Sequence, residues 1–216
     1  MSALEEIKTH LDDQRNILQD INISFANMER LREEKYDSES RVKRFEFFQH
    51  HYYQLKFISV IQLSKLFGSS PKNDRRSFYV LLSLLETKDL DYPALSEGFQ
   101  VKPDHIVGNY DDLRKVTARN RKWLKENVSV IKSIVDARNQ VYAHSDPSTN
   151  IKRVLLEDIH TLVLLATKIY NDINFHIFDT NTHFLTEYWS IDYVLKIMAG
   201  HEQARMEEIE RKRNLG

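Results

Sequence analysis

Residues 4–28 read LEEIKTHLDDQRNILQDINISFANM, and the spacing of their apolar side chains decides the class of fold. Leu4, Ile7, Leu11, Gln14, Leu18, Ile21, Phe25 and Met28 follow one another in alternating steps of three and four residues. An α-helix turns about 100° per residue, so these positions form one narrow seam along a cylinder. Gln14 is the single polar member. The pattern predicts a long helix over residues 2–35 whose seam packs in a bundle or, alternatively, against a second chain as a coiled coil.

Outward from that helix, the same period recurs. Asp37 or Ser38 can cap a second helix running to about residue 66. Phe45, Phe48, Tyr52, Leu55, Ile58 and Gln62 trace one face of it, and Phe47, Tyr53, Phe57, Val60 and Ile61 widen that face. So broad an apolar surface predicts a central helix. Gly68-Ser69-Ser70-Pro71 breaks it. A third helix is expected over 74–88, with Phe78, Leu81, Leu82 and Leu85 inward. Residues 89–110 follow no period and contain Pro93, Gly98, Pro103 and Gly108, which marks a loop. Helix resumes near Asp111 and continues, with a bend at Asn127, into residues 128–143. Asn150 is placed to cap a helix over 151–178 with the seam Leu155, Ile159, Leu162, Ala166, Ile169 and Ile173. A last helix is expected over 182–199, ended by Gly200. The tail, 200–216, carries Glu207–Arg211 and Glu208–Lys212 at helical spacing but has little to bury. No repeat and no strand pattern is visible. The expectation is an all-α bundle of five or six helices: one domain over 1–199, followed by a charged tail.

Composition agrees with this. Five glycines and four prolines in 216 residues favour long helices over a turn-rich β-fold. A formal charge of −1 gives no bulk attraction to nucleic acid, so any such role must come from a local patch. The absence of cysteine removes disulfides and thiolate metal sites. The start, Met1-Ser2-Ala3-Leu4-Glu5-Glu6, is acidic and lacks the apolar core of a signal peptide. The apolar clusters at 57–67, 80–85 and 162–166 are too short to span a bilayer. A soluble cytoplasmic protein is expected.

Chemistry shows through at Ala137-Arg138-Asn139-Gln140-Val141-Tyr142-Ala143-His144. The stretch ends an apolar stripe of Val128, Ile131, Ile134, Val135, Val141 and Tyr142. Arg138 projects from the middle of that stripe, about 20° from Ile131 and about 40° from Tyr142. A guanidinium keeps its proton, and burying it unpaired costs several kcal/mol. Arg138 should therefore meet an anion, a partner subunit or a carboxylate. His144 would point about 120° away within an unbroken helix. Pro147 follows Asp146 and disfavours helical backbone before it, so the helix should end near Ala143 and free His144 to turn back. One alternative is purely architectural: the arginine satisfies a buried carboxylate and the histidine caps the helix end.

A basic run precedes this stretch. Lys115, Arg119 and Lys122 share one helical face, among Arg114, Arg121 and Lys125 and against Asp111, Asp112 and Glu126. A phosphate backbone can lie along such a face, although charge runs are commonly only solvated surface. Glu157-Asp158-Ile159-His160 matches half of a di-metal Glu-x-x-His pattern, and its second half is missing. His50 and His51 are adjacent and point to different faces. No metal site and no cofactor site is expected.

Arg138-Asn139, three residues, then Ala143-His144-Ser145-Asp146-Pro147, closing a helix in an all-α chain, resembles the HEPN superfamily (higher eukaryotes and prokaryotes nucleotide-binding), in its abortive-infection branch. The resemblance covers about residues 38–178. It implies a metal-independent endoribonuclease acting as a homodimer, in the manner of a toxin or antiviral effector. Arg138 and His144 would be the catalytic pair and Asn139 the supporting polar residue; the face of Lys115, Arg119 and Lys122, read from its helical spacing, would then hold the RNA. RNA supplies its own nucleophile in the 2′-hydroxyl, so the chemistry calls for no metal or cofactor. Members paired with nucleotidyltransferase antitoxins tend to carry tyrosine two residues after the histidine; Asp146 stands there in this chain. RNA, a second copy and an antitoxin or regulatory protein are the implied partners, with neither membrane nor DNA among them. Some members are non-catalytic modules that bind a protein or nucleotide, and the first-helix seam and charged tail would then be the partner surfaces.

Overall fold

The computed structural model describes residues 2–70, 74–87, 90–93, 95, 103–139 and 154–215. These contain eight α-helices and no strand: α1 (Ala3–Arg32), α2 (Glu39–Lys43), α3 (Glu46–Phe67), α4 (Phe78–Thr87), α5 (Tyr110–Glu126), α6 (Val128–Ala137), α7 (Leu156–Phe178) and α8 (Asp192–Asn214). The all-α class holds. The count exceeds five or six because two expected helices are each broken in two.

Both breaks have local causes. Val42 and Phe48, six residues apart, would point about 120° apart on one continuous helix. The interruption between α2 and α3 lets both side chains bury against Leu195. Asn127 leaves helical geometry at φ −108°, and its side-chain amide donates to the Trp123 carbonyl at 2.9 Å. That side-chain bond competes with the helical ladder and separates α5 from α6 at the expected bend.

Contacts divide the chain into two compact units. One comprises residues 1–21 and 60–184, the other 22–59 and 185–216. In the first unit α5 packs on α4 and α7, and α6 packs on α7. Helix α7 is its spine: Ile159, Leu162, Val163, Leu165, Ala166, Ile169, Tyr170, Ile173 and Ile177 are all buried. Helix α4 turns Phe78, Leu81, Leu82 and Leu85 inward as expected. Each such side chain contributes about 1.5–3 kcal/mol by leaving water.

The seam of α1 is buried at Ile7, Leu11, Gln14, Leu18, Ile21, Phe25 and Met28. Gln14 is accommodated by donating to the Arg76 carbonyl at 2.9 Å. The seam is thus buried within the chain. The second expected helix is not central along its whole length. Phe45, just before α3, and Phe47 and Tyr53 within it are exposed, while Phe48 and Leu55 are buried.

In the second unit α8 packs on α2. Helix α8 runs through Gly200, where termination was expected. A mid-helix glycine costs about 1 kcal/mol. Buried Leu195, Ala199 and Glu202 on its inner face, with the pairs Glu202–Arg205 and Glu208–Lys212, offset that cost. The charged tail is therefore helical to Asn214. Beneath α8 lies a buried charge network. Arg30 holds Glu39 through two N–H···O bonds of 2.6 and 3.0 Å and also donates to Asp192. Burial alone would raise the Glu39 carboxyl. Bonds from Arg30, Lys43 and the Lys35 and Tyr36 backbone N–H groups override that and hold it at about 2. No helix among the described residues is long and apolar enough to cross a membrane.

Candidate functional site

Arg138 continues the α6 helical turn at φ −57°, ψ −48°, which carries the buried line Ile131, Ile134, Ala137 toward it. Its side chain keeps 27% exposure and is fixed by three acceptors on three separate segments. Nε donates to Ser64 Oγ at 3.1 Å, one terminal nitrogen to Asp74 Oδ1 at 3.1 Å, and the other to Asn139 Oδ1 at 2.9 Å. Ser64 is fully buried near the end of α3 and passes its own proton to the Ile61 carbonyl at 2.7 Å. Its oxygen is thereby oriented to accept from the arginine.

Asp74 is nine-tenths buried. Its second oxygen accepts the Ser70 N–H at 3.0 Å. A Cβ placed on Gly68 would overlap this carboxylate, so the absence of a side chain there makes room for it. The expected start of the third helix at Asp74 is corrected by this. The carboxylate is committed to Ser70 and Arg138, and Ser77 caps α4 instead by accepting the Val80 N–H at 3.3 Å. Arg138 therefore does meet a carboxylate, within its own unit. The structure brings Arg138 and Asn139 together. His144, the helix end at Ala143 and the Asn150 cap lie outside the described residues.

The three residues of the expected RNA-binding face have separate fates. Lys115 and Lys122 stand in solvent beside Asp112 at 3.0 Å and Glu126 at 3.8 Å. Exposed pairs of this kind contribute about 0–1 kcal/mol and leave the ammonium groups accessible. Arg119 is instead turned onto α7, where Asp172 takes its Nε at 3.2 Å and a terminal nitrogen at 2.7 Å. Asn120 reinforces Asp172 at 2.7 Å. Arg121, from the same run, is held by Glu86 at 2.5 Å. The run is in part a set of anchors.

Sequence reasoning missed Asp74 and Asp172. Asp74 follows a Pro-containing break and looks like a helix cap; Asp172 sits in an apolar helix, where the nearest opposite group is His176 one turn on, at 3.8 Å, and its main partner Arg119 is 53 residues away. It also missed a histidine cluster at the end of α7. His105 bonds Asp179 at 2.5 Å and stacks on Phe175 with centroids 4.0 Å apart, while its carbonyl accepts from His176 Nδ1 at 2.6 Å. Together with the Val107 N–H to His176 carbonyl bond at 3.0 Å, this fastens residues 105–107 to α7. Asp158 accepts the Leu155 N–H at 3.2 Å and so serves the start of α7. Among the described residues no three His, Asp or Glu side chains gather as a metal site.

No family model, curated protein or solved structure matches the chain.

Proposed function

We propose that the chain is a metal-independent endoribonuclease of the HEPN type, acting as a homodimer on single-stranded RNA in the cytoplasm, in the role of a toxin or antiviral effector. The observation that carries this reading is the immobilised Arg138–Asn139 pair, six and five residues before His144. In the proposed reaction His144 takes the proton of the 2′-hydroxyl, and that oxygen attacks the adjacent phosphorus. The P–O5′ bond breaks and the departing oxygen takes a proton from water, leaving a 2′,3′-cyclic phosphate and a free 5′-hydroxyl, while His144 returns its proton to solvent. Arg138 holds the charge that builds on the non-bridging oxygens. A guanidinium already fixed on three acceptors has little rotamer freedom left to lose when phosphate arrives. Lys115 and Lys122 supply the loose electrostatic hold on the backbone.

The Arg138–Asp74 ion pair favours a second reading, a non-catalytic helical module that binds a protein or nucleotide partner, because it satisfies the arginine without substrate. Incubation of the purified chain with an RNA pool in EDTA separates the two. The enzyme reading expects cleavage with cyclic phosphate ends and a loss of about 10² to 10⁴ in rate for His144→Ala, at unchanged helical content. Absence of any cleavage, or wild-type rates in both His144→Ala and Arg138→Ala, refutes it. Sedimentation showing a monomer at high micromolar concentration would remove the dimer.

A further inference from the structure

Within the first unit, the outer side of α1 and the C-terminal half of α7 enclose a cavity of about 330 Å³, distant in sequence from Arg138. Lys8, Asp12 and Arg15 line it from α1 at helical spacing, and Asn174 and Phe178 from α7, with Thr182 beside them. The volume is at the low end of the range for small-molecule sites, about 300–1,000 Å³.

Two features point to a ligand. Asn174 is 7% exposed, and its side-chain amide has no hydrogen-bond partner among the described residues. Its amide atoms are open to the cavity rather than sealed from solvent, so their bonding capacity faces whatever fills it. The neighbouring Asn171 shows the ordinary outcome: its amide bonds both the carbonyl and the N–H of Thr182, at 3.1 and 2.8 Å. The second feature is charge. Lys8 has no ion-pair partner among the described residues, and Arg15 has only a loose contact of 3.6 Å with Asp12, both half exposed. Two cations against one carboxylate leave the cavity net positive, with an apolar wall at Phe178.

We infer that this cavity binds a small organic phosphate whose body carries hydroxyl groups. The phosphate sits between Lys8 and Arg15, where charge-assisted bonds are strongest. The hydroxyl-bearing body reaches the Asn174 amide, and Asp12 accepts from a ligand hydroxyl. This assignment does not rest on the ribonuclease reading.

Calorimetric titration of the full chain with ribose 5-phosphate, inorganic phosphate and ribose tests it. Saturable binding is expected for ribose 5-phosphate, weaker binding for inorganic phosphate, and none for ribose. Lys8→Gln with Arg15→Gln, both surface changes, should weaken the two phosphates about tenfold or more. Asn174→Leu should weaken ribose 5-phosphate about two- to tenfold and leave inorganic phosphate unchanged. No saturable binding of either phosphate at millimolar concentration overturns the site. So does undiminished binding by a folded Lys8→Gln/Arg15→Gln variant. Equal affinity for the two phosphates overturns the role of Asn174.

Discussion

Replacing Asp74 by Asn and Arg138 by Gln, singly and together, asks whether this arginine is scaffold or reagent. The ion pair is a single 3.1 Å contact between side chains 27% and 9% exposed. Exposed pairs contribute about 0–1 kcal/mol, whereas breaking a fully buried pair costs about 3–5 kcal/mol. This pair lies between those limits. Asp74→Asn keeps shape and an acceptor for Ser70, so a cost of about 1–2 kcal/mol is expected, and a similar or slightly larger one for Arg138→Gln, which also loses Ser64. The coupling between them should be about 1 kcal/mol. Domains of this size hold about 5–15 kcal/mol, so all four proteins stay folded and can be compared in urea unfolding and RNA cleavage. The enzyme reading expects Arg138→Gln to lose about 10² in rate or more, far beyond any change in folded fraction. Additivity within about 0.5 kcal/mol would show that the ion pair carries no energy. Wild-type cleavage by Arg138→Gln would leave the arginine architectural.

Gly68→Ala must displace the Asp74 carboxylate, so it should destabilise by at least as much as Asp74→Asn and show no further loss when combined with it; additive costs in thermal unfolding would refute the overlap. Glu39, held at about 2 against an ordinary 4.5, contributes stability that is fully present above about pH 4.5 and lost as pH falls toward 2. Glu39→Gln should remove that component and cost about 1.5–3 kcal/mol at neutral pH, because Arg30 loses one of its two carboxylates and keeps Asp192, and parallel pH profiles of wild type and variant would contradict it. Lys122→Ala should weaken RNA binding with a smaller salt slope and unchanged stability. Arg119→Ala should chiefly lower the unfolding midpoint; the reverse outcome would return Arg119 to the binding face.

Helical class was legible because the period of α1, α4 and α7 is enforced by burial, and burial acts on every turn. The extra breaks were not, since each depends on a single side chain choosing between local and distant partners: Phe48 turning to Leu195, and Asn127 bonding the Trp123 carbonyl. The end of α8 was misread because Gly200 is a stop signal only where the helix has nothing further to bury, and Glu202 is buried beyond it. At the site, the placement of Arg138 in an apolar stripe was legible and its partner was not. Asp74 lies 64 residues earlier, and no local pattern links the two.

Two arginines that the sequence reading assigned to phosphate both turn out to face aspartates, yet the geometry treats them differently. Asp172 grips Arg119 through Nε and a terminal nitrogen at once and is itself bound by Asn120. Its charge is met by a two-point fork, and a phosphate would have to displace a reinforced carboxylate. Arg138 gives Asp74 one nitrogen only. Its other two bonds go to neutral oxygens, Ser64 Oγ and Asn139 Oδ1. Neutral acceptors orient a guanidinium without offsetting its charge, and three of its five N–H groups account for every contact it makes among the described residues. Arg119 is therefore an anchor between α5 and α7. Arg138 is a cation fixed in direction and compensated at one edge, which is the state a phosphoryl-stabilising arginine needs before substrate arrives.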